Sequence, residues 1–140
     1  MTRGLRLPTL AKDGWSLRSG EAAHQAHPDS FWIPPLAERR GLQRGQLAKL
    51  IFEIEAEDDA GNPEVNGERM WVMVTERIGE HYIGILDNQP ATFEASDEEY
   101  LVPGAEVPFL PEHVIDIDTA PEEYVVERLA AAPTRRWPRR

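Results

Sequence analysis

The sequence predicts an α+β fold: a small, strongly curved antiparallel sheet or open barrel with a short N-terminal helix and a C-terminal helix. Three observations carry this. Between residues 46 and 117 apolar and polar side chains alternate with period two, each run ending in turn residues. After Thr119 the spacing becomes helical, behind a threonine, a proline and a glutamate placed as in a capping box. The chain has 140 residues and no cysteine, so one domain must hold together by burial and hydrogen bonds, without disulfides or thiolate metal sites.

Residues 1–30 scatter Leu5, Leu7, Leu10, Trp15 and Leu17 among Gly, Ser, Pro, Arg and Asp with no sustained period. This predicts a partly ordered N-terminal arm, mobile or draped over the body. A single globular domain is expected over 31–132, opening at Phe31-Trp32-Ile33. Pro34-Pro35 then leads into a short helical turn over Leu36–Arg40, stopped by Gly41.

The first strand places Leu50, Phe52 and Ile54 on one face and Ile51, Glu53 and Glu55 on the other. Glu57–Gly67 is dense in turn residues and predicts a loop. A second strand, Glu68–Glu76, puts Met70, Val72 and Val74 opposite Trp71, Met73 and Thr75. The connection Ile78-Gly79-Glu80 leads into a third, His81–Leu86, paired with the second as an antiparallel hairpin. Gly84 within it predicts a bulge or a close approach. Asp87-Asn88-Gln89-Pro90 ends the strand, Ala91–Ala95 offers a brief pairing segment, and Ala105–Leu110 and His113–Ile117 supply the last extended pieces. The helix is expected from Thr119 as cap to about Ala131, with Pro133 closing it and a basic flexible tail at 133–140.

Charge is unevenly distributed. Residues 1–45 carry +3, residues 46–128 carry −17 and residues 129–140 carry +4, within a net charge of −10. Such a body repels a phosphate backbone and attracts a basic protein surface. Nucleic acid is therefore not expected as a partner, and the arginines of the tail are expected to be drawn to the acidic body or to stay flexible. No apolar run approaches the roughly 20 residues of a membrane span, and the first residues lack the apolar stretch of a secretion signal. The cytoplasm is the expected compartment, with no membrane contact.

Three segments occur in order: Gly67-Glu68-Arg69-Met70-Trp71-Val72-Met73-Val74-Thr75-Glu76, then Tyr82-Ile83-Gly84-Ile85-Leu86-Asp87-Asn88-Gln89-Pro90, then Leu101-Val102-Pro103-Gly104-Ala105-Glu106-Val107-Pro108-Phe109. Over residues 45–117 the chain resembles the bacterial YegJ-like domain of unknown function. The resemblance implies a small strand-rich domain of bacterial origin and brings no reaction, cofactor or catalytic residue.

The residues with chemistry to offer are few. Trp71, His81, Asp87, Asn88 and His113 sit on strands or at their ends and are the candidate binding residues. His81 and His113 with Asp87 or Asp116 would make an acid–base set if the fold brought them together. His24 and His27, three apart in a segment with weak helical support, do not make a metal pair. The acidic residues 53–64 lack the ligand order of a calcium loop, and no nucleophile elbow or phosphate loop occurs. No metal and no cofactor is expected. The leading reading is a non-enzymatic binding domain presenting an acidic surface to a basic protein. The alternative is a small hydrolase or isomerase using the His/Asp pair at strand ends.

Overall fold

The computed structural model describes residues 5–94, 96 and 98–139. Along the chain lie α1 (Leu10–Asp13), β1 (Trp15–Arg18), α2 (Gly20–Ala26), α3 (Leu36–Arg40), β2 (Gln46–Glu57), β3 (Pro63–Ile78), β4 (His81–Leu86), β5 (Glu106–Phe109), a 3-10 turn (Pro111–His113), β6 (Asp116–Thr119) and α4 (Glu122–Ala131). The strands form one antiparallel sheet in the order β1-β2-β3-β4-β5, curled into a half-barrel, and the fold is α+β. β6 also pairs with β2, opposite Gln46–Lys49, while β1 lies opposite Ile51–Ile54, so the two share the edge that β3 leaves open.

The period-two pattern fixes which side chains fill the half-barrel. Leu50, Phe52 and Ile54 of β2, Met70, Val72 and Val74 of β3 and Leu86 of β4 all point inward and are buried, as the alternation predicts. Tyr82 stacks on Phe109 with centroids 5.2 Å apart. Its hydroxyl donates to the Arg39 carbonyl (3.0 Å) and accepts from the Leu42 N–H (3.2 Å), which satisfies a polar group deep in the core. The outer face buries a second set, Ile51, Met73, Ile83 and Ile85.

Gly84 meets both of its expectations. A Cβ there would lie 3.0 Å from Val72 Cγ2 and 3.1 Å from the Met73 carbonyl, and the β3–β4 register shifts beside it, between Val74 and Glu76.

Several elements differ from the sequence reading. The N-terminal arm is part of the sheet: β1 pairs with β2 and Trp15 is only 3 % exposed, against Phe52. Its four residues are too few to show a period, and their burial depends on a partner strand far along the chain. The expected loop over 57–67 is mostly ladder, since β2 and β3 stay paired to Glu57↔Pro63. The turn itself needs only the residues between them. There Asp58 Oδ1 accepts from the N–H groups of Ala60 (2.9 Å) and Asn62 (2.8 Å), while Gly61 takes φ +82°. Thr119 ends β6, paired with Gln46, so it is committed to the ladder and does not cap α4; the helix starts after Pro121 without a side-chain cap. Residues 91–94 form a turn, and Ala95 lies outside the described residues.

The expected flexible tail is docked. Thr134 N–H donates to the Gly104 carbonyl and Glu106 N–H to the Arg135 carbonyl, both at 2.9 Å, so the chain runs beside the start of β5. Trp137 enters the core, 3 % exposed, edge-on to Trp15 (5.6 Å) and Tyr100 (5.7 Å), with its indole N–H on the Arg6 carbonyl (2.8 Å). Arg139 grips Glu106 through two nitrogens, at 2.8 and 3.0 Å, and also reaches Glu76 at 2.9 Å. Burial alone would raise the Glu106 pKa, but Arg139 and the backbone N–H of Trp137 (2.8 Å) outweigh it and hold the carboxyl below its ordinary range. A buried tryptophan and a buried carboxylate that needs donors together account for the docking.

Candidate functional site

The predicted binding residues divide between the two ends of β4. At its C-terminal end Asp87 N–H donates to the Trp71 carbonyl (2.9 Å), and Trp71 N–H donates to Asn88 Oδ1 (2.7 Å). The Asp87 carboxylate accepts from the Tyr124 hydroxyl (2.8 and 2.7 Å) and lies 2.9 Å from Arg128 Nε, an ion pair in which that N–H is not aligned for a hydrogen bond. These contacts tie α4 to the sheet. Trp71 is half-buried on the outer face, with Lys49 Nζ 5.5 Å from its ring centre. Trp71, Asp87 and Asn88 thus form a corner whose main polar groups are already engaged within the fold.

At the other end stand His81 and His113, close enough for His81 to act on the buried His113. His113 is buried; its Nδ1 accepts from the Leu110 N–H (2.9 Å), and its Nε2 lies 3.7 Å from Glu112 Oε1. Burial first, and His81 second, push its pKa down to about 4, with Glu21 acting weakly the other way. Six steps along the chain separate His81 from Asp87, about 20 Å at ~3.4 Å per residue, so these histidines and Asp87 do not converge. Asp116 spends Oδ1 on the Ile117 N–H (2.9 Å). Among the described residues no three His, Asp or Glu side chains are grouped to hold a metal.

The buried histidine makes stability pH-dependent with a definite sign. Its folded pKa of about 4 lies below the ordinary 6.5, so between these values the unfolded chain binds a proton that the native state refuses. The contribution is therefore complete above pH 6.5 and is lost as pH falls toward 4, by about 2–3 kcal/mol. Denaturant midpoints at pH 7 and pH 4.5 are expected to fall further apart in the wild type than in His113→Gln. Parallel pH profiles for the two proteins would contradict this.

A second region emerges only in three dimensions. β1 begins opposite Ile54, and past that residue β2 and β3 continue as a two-stranded arm paired as Glu55↔Val65, Ala56↔Glu64 and Glu57↔Pro63. The arm and its turn carry Glu55, Glu57, Asp58, Asp59 and Glu64, none of them in an ion pair among the described residues. Val65 stands among them, 48 % exposed, beside an open groove of about 470 Å³. On the β1 side, Glu55 N–H takes the Gly14 carbonyl (2.9 Å), after which the edge of β2 has no strand partner among the described residues.

Glu55 also borders a smaller cavity of about 230 Å³. Its walls include Trp15, Phe93 and Tyr100, with Asp13 and Glu99 supplying further carboxylates. Trp15 and Tyr100 lie nearly parallel, 5.9 Å apart. Asp13 is engaged: Arg6 holds both of its oxygens at 2.7 and 3.0 Å, and the Thr9 N–H adds a third bond. The indole N–H of Trp15 is buried without an acceptor among the described residues.

The acidic run of this arm is visible in the sequence, where it reads as a solvated hairpin. The cavity is not, because Trp15 and Tyr100 stand far apart in the chain and neither belongs to a motif. No family model matches the chain, and no curated protein or solved structure matches it.

Proposed function

We propose that this protein is a non-enzymatic, cytoplasmic binding domain that presents its acidic β2–β3 arm to a basic protein partner. The observation that carries the reading is the arm itself. Its five carboxylates lack cationic partners among the described residues, whereas Asp13, Glu21, Glu53, Glu76, Asp87 and Glu106 each face an arginine within the fold. Uncompensated charge on a projecting, partly apolar hairpin favours fast, oriented encounter with a surface of opposite sign. Exposed Val65 and the open strand edge add apolar and main-chain contacts once the partner arrives.

The test is a titration with a labelled, blocked lysine-rich peptide, followed by fluorescence anisotropy at rising salt. Affinity is expected to fall steadily as salt shortens the screening length toward ~8 Å at physiological ionic strength. The triple reversal Glu57→Lys, Asp59→Lys, Glu64→Lys is expected to weaken binding by about tenfold or more at low salt. Asp58 is left intact because it builds the turn. No binding at low salt, or binding indifferent to the triple reversal, would sink the proposal.

A further inference from the structure

We infer that the cavity walled by Trp15, Phe93 and Tyr100 and rimmed by Glu55 and Glu99 is a socket for one arginine side chain of that basic partner. The inference rests on the acidic-arm reading and gives it a specific anchor. At about 230 Å³ the cavity is smaller than the pockets of ~300–1,000 Å³ that hold drug-sized ligands, which suits a single side chain.

Its walls and rim differ in chemistry, and both suit a guanidinium. Trp15, Phe93 and Tyr100 offer π-systems, against which a planar, weakly hydrated cation is stabilised. Of the three carboxylates at the cavity, Asp13 is saturated by Arg6 and the Thr9 N–H. Glu55 and Glu99 have no ion pair among the described residues and are left to receive the fork of N–H donors.

The tryptophan supplies a spectroscopic reporter of occupancy. Trp15 is 97 % buried in a wall of this cavity, yet its Nε1–H has no acceptor among the described residues. A buried donor without an acceptor is costly. The atom itself has almost no accessible surface, so an occupant of the cavity acts on this N–H through the packing of its ring and not by a direct hydrogen bond. Glu55 joins the two surfaces, since it lines both the socket and the groove of the arm, so one extended segment can reach both.

The experiment uses the full chain and three blocked peptides, Lys-Lys-Gly-X-Gly-Lys-Lys, with X as arginine, lysine or citrulline. Dissociation constants come from calorimetry, and ¹⁵N spectra follow the indole N–H signals, with Trp15 assigned through Trp15→Phe. The arginine peptide is expected to bind about tenfold more tightly than the citrulline peptide and several-fold more tightly than the lysine peptide of equal charge. Glu99→Gln and Phe93→Ala, each checked for an unchanged fold by circular dichroism, are expected to erase most of that preference. The Trp15 indole signal should shift on binding while that of Trp137, already hydrogen-bonded, stays in place.

Equal affinity for the three peptides, or a preference that survives both variants, overturns the socket. If the arm reversal abolishes binding while these variants do nothing, the socket fails and the acidic-arm reading stands. If no peptide binds even at low salt, both fail together.

Discussion

Replacing Trp137 with alanine is expected to destabilise the protein by about 3–5 kcal/mol, as for a large aromatic removed from a packed core. An isolated apolar residue in a basic, proline-containing segment would ordinarily change stability by no more than about 0.5 kcal/mol when it lies on the surface. Here the ring fills space beside Trp15 and Tyr100, Arg6 lies over it at 4.4 Å, and its N–H reaches the Arg6 carbonyl. Trp137→Phe separates the contributions: it keeps most of the apolar volume and loses the hydrogen bond, for which about 1 kcal/mol is expected beyond the change in packing. Urea unfolding followed by circular dichroism measures both variants. A midpoint for Trp137→Ala equal to that of the wild type would mean that the tail does not dock.

Phe52→Ala is expected to cost a similar amount, about 3–5 kcal/mol. Phe52 is fully buried in the strand at the heart of the sheet, opposite Leu17 on one side and Glu68 on the other. A loss under about 1 kcal/mol would place the ring on the wrong face of β2. Both Phe52 and Trp137 touch Trp15, at 5.9 and 5.6 Å. The double variant is therefore expected to depart from additivity, by about 0.5 kcal/mol or more, because the second truncation removes support from a ring already loosened by the first.

What was legible in the sequence follows from how local each signal is. Alternation along β2 and β3 names the inward side chains correctly because the side-chain period of a strand needs no knowledge of its partner. α3 is readable from two prolines and a glycine, and the His81–Leu86 strand from the turns that bracket it. β1 and the docked tail were not readable. Trp15 and Trp137 are isolated apolar residues in polar surroundings, and only the contact between opposite ends of the chain makes them core. The candidate site divides along the same line. Asp87 and Asn88 read correctly as the end of a strand but bind the protein's own Tyr124 and Trp71, and the histidines stay a strand's length from Asp87. The cavity beside Glu55 depends on long-range packing that no motif announces.

The arm of β2 and β3 also bears on how the protein avoids its own kind. An open strand edge is a template for aggregation, and here Ile54 is the last residue of β2 that β1 protects. Past it the edge carries Glu55 and Glu57, so a second copy approaching edge to edge would set carboxylate against carboxylate, an arrangement that strand pairing disfavours. A basic segment meets no such repulsion. The same charges therefore act as gatekeepers, closing the edge to self-assembly while leaving it open to a partner of opposite sign.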